Sequence, residues 1–197
     1  MQYKKLPPDL FYYGASDHAV SDAVGDFSEH GVCGVDAADN LFVVDWWWGR
    51  HSLDVVTEAM LDKIERWSPM AWAVEKGPIW RAASPYVKKR MDERKVWGHI
   101  VEYPSTQNKE IRAQSFQGRM AQGKVWFPKH APWVGRLIDQ MMKFPNGKFD
   151  DGVDVLSLMG RMLADMVGKK PEKPKEPPKF ENGFKLGNPW DDDDGFE

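Results

Sequence analysis

The sequence predicts an α/β fold, a mixed central sheet with helices on both faces. Two observations support this class. Three strand-like segments come first and are linked as hairpins, and later strands alternate with helix-like segments. The chain has 197 residues, 42% of them hydrophobic, which is enough for one domain with a sizeable core. We expect about five main strands, with the first three antiparallel.

The first half of the chain supplies the hairpins and the first helix. Its predicted strands are apolar or alternating segments bounded by turn residues, at 10–16, twice within 30–48, and at 70–75. Asp39 and Asn40 form the turn inside the second of these segments. Ser52 is placed to cap a helix over residues 53–67, in which apolar residues recur along one face.

The second half alternates helices with strands. Helical periodicity predicts four helices, at residues 84–95, 108–122, 131–144 and 150–167. Apolar segments between them predict strands at residues 97–103 and 124–127. Helices that separate strands in this way pack on both faces of a sheet.

Composition excludes several classes of function. The single cysteine, Cys33, rules out an internal disulfide framework and a cysteine-based zinc site, and we expect it to be buried in a strand. No apolar run approaches the length of a membrane span, and the N-terminus lacks the apolar region of a secretory signal. These features predict an intracellular protein. The formal charge of −3 is not that of a dedicated nucleic-acid binder.

The composition changes near Lys169. Residues 169–197 begin with KKPEKPKEPPK, which is rich in proline and charge, and end with an acidic run at Asp191–Asp194. We therefore predict one folded domain over residues 1–168 and a flexible acidic tail over 169–197. The aromatic residues of this tail suit docking on a partner, and a purely solubilising tail explains them equally well.

Acidic residues fall where α/β proteins form ligand sites. Asp17 ends the first predicted strand and Glu75 ends the fourth, while Asp150, Asp151 and Asp154 lie in the first turns of the last helix. Singly, each acid is explained as a turn cap, a strand-end ion pair or a partner of the helix dipole. If the first and fourth strands are neighbours, the acids repel one another, and the fold tolerates this only if a cation is bound or the acids share protons. Such an oxygen-rich site suits Mg²⁺ or Mn²⁺.

Four blocks of sequence carry a resemblance to a known family: GASDHAVSDAVGDFS, AVEKGPIW, NKEIRAQSFQGRMAQGKVWFP and PWVGRLIDQMMKFPNGKFDDGVDVLSL. Over most of its length the chain resembles the C-terminal nuclease domain of the large terminase subunit of tailed bacteriophages. That family has a ribonuclease H-like fold and is related to Holliday-junction resolvases and retroviral integrases. The last block is the most specific, because it combines a helix, a turn and a paired acid followed by a third acid.

The resemblance implies a DNA endonuclease that uses two divalent ions. The implied ligands are Asp17, Glu75 and Asp151, supported by Asp150, Asp154 and Asp26, the last of which follows the first strand. The sequence departs from the pattern at Phe149, where many relatives have a histidine. The implied task is to cut concatemeric double-stranded viral DNA during genome packaging, in the cytoplasm of the host cell.

The resemblance also implies partners, namely a terminase ATPase motor domain, the portal protein and the small terminase subunit. The chain contains no GxxxxGK[ST] phosphate loop, so we expect no ATPase domain in it. Two alternatives stay open. One is a junction-resolving nuclease of the same fold, and the other is a non-catalytic docking module for the packaging motor.

Two groups of basic residues are candidates for contact with DNA phosphates. Lys109 and Arg112 begin a predicted helix that, in the resembling family, lies close to the active site. A denser basic segment contains Lys88, Lys89, Arg90, Arg94 and Lys95. For both groups, a solvated helix face is the alternative interpretation.

Overall fold

The computed structural model describes residues 1–19, 27–104 and 108–168. Asp26, a predicted metal ligand, and the predicted tail at 169–197 lie outside the described residues. Within the described ranges, no helix has the length and apolar character needed to cross a lipid bilayer.

A mixed sheet of seven strands forms the centre of the described molecule. In chain order the strands are β1 (Gln2–Tyr3), β2 (Phe11–Asp17), β3 (Ser28–Val35), β4 (Leu41–Gly49), β5 (Trp72–Lys76), β6 (Ile100–Pro104) and β7 (Val125–Pro128). Their spatial order is β1-β7-β4-β3-β2-β5-β6. The pairs β2–β3 and β3–β4 are antiparallel, which confirms the predicted hairpins, and the other pairs are parallel. The prediction omitted β1, which is too short to leave a periodic signal.

Five helices cover the two faces of this sheet, namely α1 (Leu53–Trp67), α2 (Pro78–Arg94), α3 (Lys109–Ala121), α4 (Val134–Lys143) and α5 (Asp151–Gly168). Helices α1 and α2 bury apolar residues such as Met60 and Met91 against one face. Residues of α3, α4 and α5, among them Phe116, Leu137 and Met159, pack on the other face with Cys33. The predicted layering and the buried position of Cys33 are therefore confirmed.

Two local predictions were wrong, and side-chain chemistry explains both. The Ser52 side chain makes no capping hydrogen bond to α1, because its hydroxyl interacts with the carboxylate of Asp54. Helix α2 begins at Pro78 rather than at residue 84, since a proline needs no N–H partner in the first turn. Pro85 inside this helix leaves the Arg81 carbonyl without its usual N–H donor, and the Ser84 hydroxyl donates to that oxygen at 3.4 Å.

Candidate metal centre

Two of the predicted ligands end neighbouring strands. Asp17 is the last residue of β2 and Glu75 the penultimate residue of β5, and these strands are parallel neighbours with Ser16 opposite Val74. The acids therefore meet at one edge of the sheet, as the sequence prediction required. Carboxyl ends of adjacent parallel strands are where α/β proteins bind ligands.

A buried polar chain fixes the strand that presents Asp17. The Ser16 hydroxyl accepts a hydrogen bond from Trp72 Nε1 at 2.7 Å and lies 2.8 Å from His30 Nδ1. His30 Nε2 lies 2.9 Å from the Val56 carbonyl and must donate to it, so Nδ1 accepts from Ser16. Burial lowers the pKa of His30 well below its usual range and keeps the ring neutral. Because side chains alternate along a strand, anchoring Ser16 on one face directs Asp17 to the other.

The start of α5 brings further acids to Asp17. Asp151 and Asp154 are 4% and 7% exposed and lie three residues apart, on one face of the helix. Burial raises the pKa of Asp17 well above its usual range, and the negative charges of Asp154, Asp151 and Glu75 raise it further. Together with Asp150, which directly precedes the helix, these acids are called the carboxylate cluster below.

Two cations lie within the carboxylate cluster. Lys109 Nζ is 2.8 Å from Asp150 Oδ1 and 2.9 Å from Asp154 Oδ2. The Arg112 guanidinium is 2.9 Å from Glu75 Oε2 and 3.3 Å from Asp154 Oδ1. These two predicted DNA contacts are thus paired with acids. In the part of the chain that the structure describes, no three histidine, cysteine or acidic side chains stand together as a metal-holding group.

The donor chemistry nevertheless fits a hard divalent cation. All donors of the carboxylate cluster are oxygens, which favour Mg²⁺, Mn²⁺ or Ca²⁺. Burial is the main cause of the raised pKa of Asp17, and the negative charges of Asp154, Asp151 and Glu75 add to it although Lys109 opposes them. The ammonium of Lys109 is the group that an incoming cation would have to displace.

Glu29 is a buried acid beside the cluster that sequence reasoning missed. It lies opposite Asp17 on β3, is fully buried, and accepts a hydrogen bond from Trp46 Nε1 at 2.7 Å. Arg136 from α4 pairs with the same carboxylate at 2.6 Å. Burial raises the pKa of Glu29, although Arg136 opposes this. The residue precedes the predicted strand at 30–48, so no periodic signal indicated its burial.

Gln140 connects Glu29 to the first turn of α5. Its Nε2 donates to Glu29 at 3.4 Å, and its Oε1 accepts from the backbone N–H of Gly152 at 2.9 Å. A Cβ at position 152 would collide with that Oε1, so glycine is needed here. The bond holds the helix turn that bears Asp151 at a fixed place above β3.

The basic segment of α2 is mostly engaged with acids of α1. Arg94 pairs with Glu58, Asp62 and Glu65 at 2.6–2.9 Å. Arg90 pairs with Glu58 at 2.7 Å and also with Glu93, which Lys89 approaches to 3.7 Å. Lys88 is exposed. These residues and their acidic partners are called the α1–α2 ion network below, and they leave little positive charge for a phosphate.

Solved nucleases share this architecture at low sequence identity. The large terminase nuclease of thermophilic phage G20c, solved with bound zinc, aligns with a TM-score of 0.59 and 16% identity over 79% of this chain and 82% of that chain. Its magnesium-bound structure aligns with a TM-score of 0.59 and 14% identity over 80% and 84%. Thermus thermophilus RuvC aligns with a TM-score of 0.50 and 14% identity over 80% and 97%.

No family model and no curated protein matches the chain. The strand order, the flanking helices and these alignments agree with one another. The chain therefore has the ribonuclease H-like fold of the terminase nuclease and RuvC structures.

Proposed function

We propose that this chain is a DNA endonuclease that depends on divalent metal ions. The main supporting observation is that Asp17, at one edge of a ribonuclease H-like sheet, lies close enough to Glu75, Asp151 and Asp154 for their charges to raise its pKa. Similar structures are of large terminase nucleases with bound zinc, magnesium or cobalt. A cluster of buried acids with raised pKa values is typical of functional sites.

The proposed ligands of two Mg²⁺ or Mn²⁺ ions are Asp17, Glu75 and Asp151, with Asp150 and Asp154 in support, and Asp26 stays a prediction. When bound, such ions supply Lewis-acid activation of water and stabilise negative charge on the leaving 3′ oxygen. Arg112 orients the Glu75 carboxylate through its ion pair. Lys109, once displaced from Asp150 and Asp154, can contact a phosphate of the cleaved strand.

The proposed biological task is the cutting of concatemeric viral DNA during packaging in the host cytoplasm. The ATPase motor domain, the portal protein and the small terminase subunit are its proposed partners. Large terminase nucleases are among the solved structures that share this fold, which supports this task. A junction-resolving nuclease is the second candidate, since the alignment covers 97% of RuvC. Branched and linear substrates, compared at equal concentration, distinguish the two.

Plasmid cleavage tests the endonuclease proposal. Supercoiled plasmid is incubated with the purified chain in EDTA, Mg²⁺ and Mn²⁺, and nicked and linear products are quantified on gels. We expect cutting that requires metal. Asp151→Asn should lower the rate by more than the roughly 10–100-fold typical for loss of an outer partner of a metal ligand.

Asp62→Asn is the matched control, because it makes the same change at an exposed acid of the α1–α2 ion network. It should cut at the wild-type rate. Wild-type cutting by Asp151→Asn would refute the site. A folded wild-type chain that neither cuts nor is stabilised by metal would favour the docking module.

A further inference from the structure

Cations and aromatic rings interleave on a surface beside the carboxylate cluster. Its members come from distant parts of the chain and are Phe27, Trp48, Arg50, Arg136, Lys148 and Phe149. We call this set the Arg50 surface. None of its residues belongs to the basic segments that the sequence indicated.

Arg50 is held between two phenylalanine rings. Its Cζ atom lies 4.1 Å from the centroid of the Phe27 ring and 5.4 Å from that of Phe149. The two rings contact each other edge to face at 5.4 Å. Lys148 Nζ lies 5.2 Å from the Phe149 centroid. The rings therefore restrict these side chains and lower the entropy cost of holding a ligand there.

A third cation extends the surface along the sheet edge. The Cζ atom of Arg136 lies 4.9 Å from the centroids of both Phe27 and Trp48. Its guanidinium also pairs with the buried Glu29, so its charge is already partly compensated. Trp48 lies opposite Glu29 in the sheet, so Arg136, which contacts both residues, is on the side of the Arg50 surface that faces the carboxylate cluster.

Arg50 and Lys148 differ in their ion pairing from the cations of the carboxylate cluster and of the α1–α2 ion network. Among residues 1–19, 27–104 and 108–168, neither side chain forms an ion pair with an acid. This distinguishes them from Lys109, Arg112 and Arg94, each of which pairs with two or more carboxylates. Free positive charge is what attracts a nucleic-acid backbone.

The distance from the carboxylate cluster matches the spacing of DNA. Asp17 lies opposite Glu29, and Glu29 opposite Trp48, so β4 is two strands away from β2. Two strand spacings are about 10 Å, which equals about three base-pair steps of 3.4 Å along the axis of the duplex. Lys148 also lies only three residues before Asp151 in the chain.

We propose that the Arg50 surface binds the phosphate backbone of DNA a few nucleotides from the bond to be cut. This inference rests on the proposed endonuclease function and identifies its substrate-binding side. Contacts of this kind position the duplex without reading its sequence.

The salt dependence of DNA binding tests the proposal. A short fluorescein-labelled duplex is titrated in EDTA, where the metal-dependent reaction is absent, and anisotropy gives the binding constant at several salt concentrations. For Arg50→Gln combined with Lys148→Gln we expect roughly tenfold weaker binding. The slope of log K against log salt should fall in magnitude by about 2, since each lost phosphate contact removes about 0.9.

Arg66→Gln combined with Lys5→Gln is the matched control. It removes the same charges, and Arg66 likewise stacks on a ring, that of Trp67, but both residues are exposed elsewhere. Its slope should equal that of the wild type. Arg50→Lys combined with Lys148→Arg keeps both charges and should restore the wild-type slope. Circular dichroism confirms that each variant is folded.

The outcomes separate this proposal from the endonuclease proposal. An unchanged slope in the Gln double variant, with a wild-type chain that cuts plasmid, would overturn the Arg50 surface alone. An equal fall in the control would also overturn it, since the effect would then be one of net charge. A selective fall in slope, in a wild-type chain that neither cuts plasmid nor is stabilised by metal, would support DNA binding by the surface and refute the endonuclease.

Discussion

The carboxylate cluster and the α1–α2 ion network contain the same types of charged side chain but differ in the ratio of acids to cations. In the network, Arg90 and Arg94 engage acids on an exposed face, and hydrogen bonds from Arg90 lower the pKa of Glu58 although slight burial opposes this. In the cluster, Lys109 and Arg112 pair with Asp150, Asp154 and Glu75. Burial raises the pKa of Asp154 there even against its bonds to Lys109.

The difference shows that charge imbalance marks a site better than charge density does. The α1–α2 ion network is dense in the sequence, but its charges are balanced and solvated, so it has no need of a ligand. In the carboxylate cluster, burial and neighbouring acids raise the pKa values of Asp17 and Asp154 in spite of the nearby cations. Substitutions in the two regions should therefore have different effects on stability and on metal binding.

A divalent metal ion that binds the carboxylate cluster should raise the free energy of unfolding of the chain, and this increase should not depend on the α1–α2 ion network. At a Mn²⁺ concentration 100-fold above Kd, the free energy of unfolding of the wild type should rise by about 2.7 kcal/mol. Glu75→Gln should lose most of this increment because it removes a proposed ligand. Urea unfolding with and without Mn²⁺ measures it.

Arg94→Gln is the control for this experiment, since it alters the network and should retain the full metal increment. An equal increment in Glu75→Gln would place the metal elsewhere. A wild-type chain without any increment would favour the docking module.

When metal is absent, removing one acid from the carboxylate cluster should reduce the repulsion between its carboxylates and stabilise the fold. Asp17→Asn in EDTA should raise the free energy of unfolding at neutral pH by about 1–2 kcal/mol, within the usual range for single substitutions. The folded pKa of Asp17 is raised, so its charge destabilises the fold as pH rises above 3.8, its ordinary value. The gain should vanish at lower pH, where the carboxyl is protonated in both states.

Urea unfolding across this pH range measures the Asp17→Asn effect. Asp62→Asn, the matched change in the network, should not stabilise the chain. If Asp17→Asn destabilised it at neutral pH, the carboxylate would be a structural partner and the contrast between the two regions would fail.

Removing an acid from the α1–α2 ion network should change the free energy of unfolding least, and with the opposite pH dependence. Glu58→Gln should lower the free energy of unfolding at neutral pH by no more than about 1 kcal/mol, as is typical of exposed ion pairs. The folded pKa of Glu58 is lowered, so its contribution is present above 4.5 and is lost as pH falls. Wild type and variant should therefore converge in acid, and a difference that persisted there would contradict an ionic origin.

Much of the fold followed from local sequence patterns. Helix α1 begins and ends where periodicity predicted, and Asp17 ends its strand as predicted. The start of α2 was predicted too late. A proline is common in the first turn of a helix, so the sequence suggested a start next to Pro85, whereas Pro78 occupies the first turn. The role of Glu29 was hidden because its partners Trp46, Arg136 and Gln140 are 17 to 111 residues away.

The sequence by itself determined the class of fold and the placement of acids at strand and helix ends, because periodicity and chain order are local properties. Only the tertiary structure decided which charges are compensated. Arg94 meets Glu58 across 36 residues, and Lys109 meets Asp150 across 41. Arg50 lies over Phe149 and forms no ion pair in the described residues. Ion pairing depends on contacts between elements that are distant in the chain, so the sequence alone does not show which charged side chains are paired.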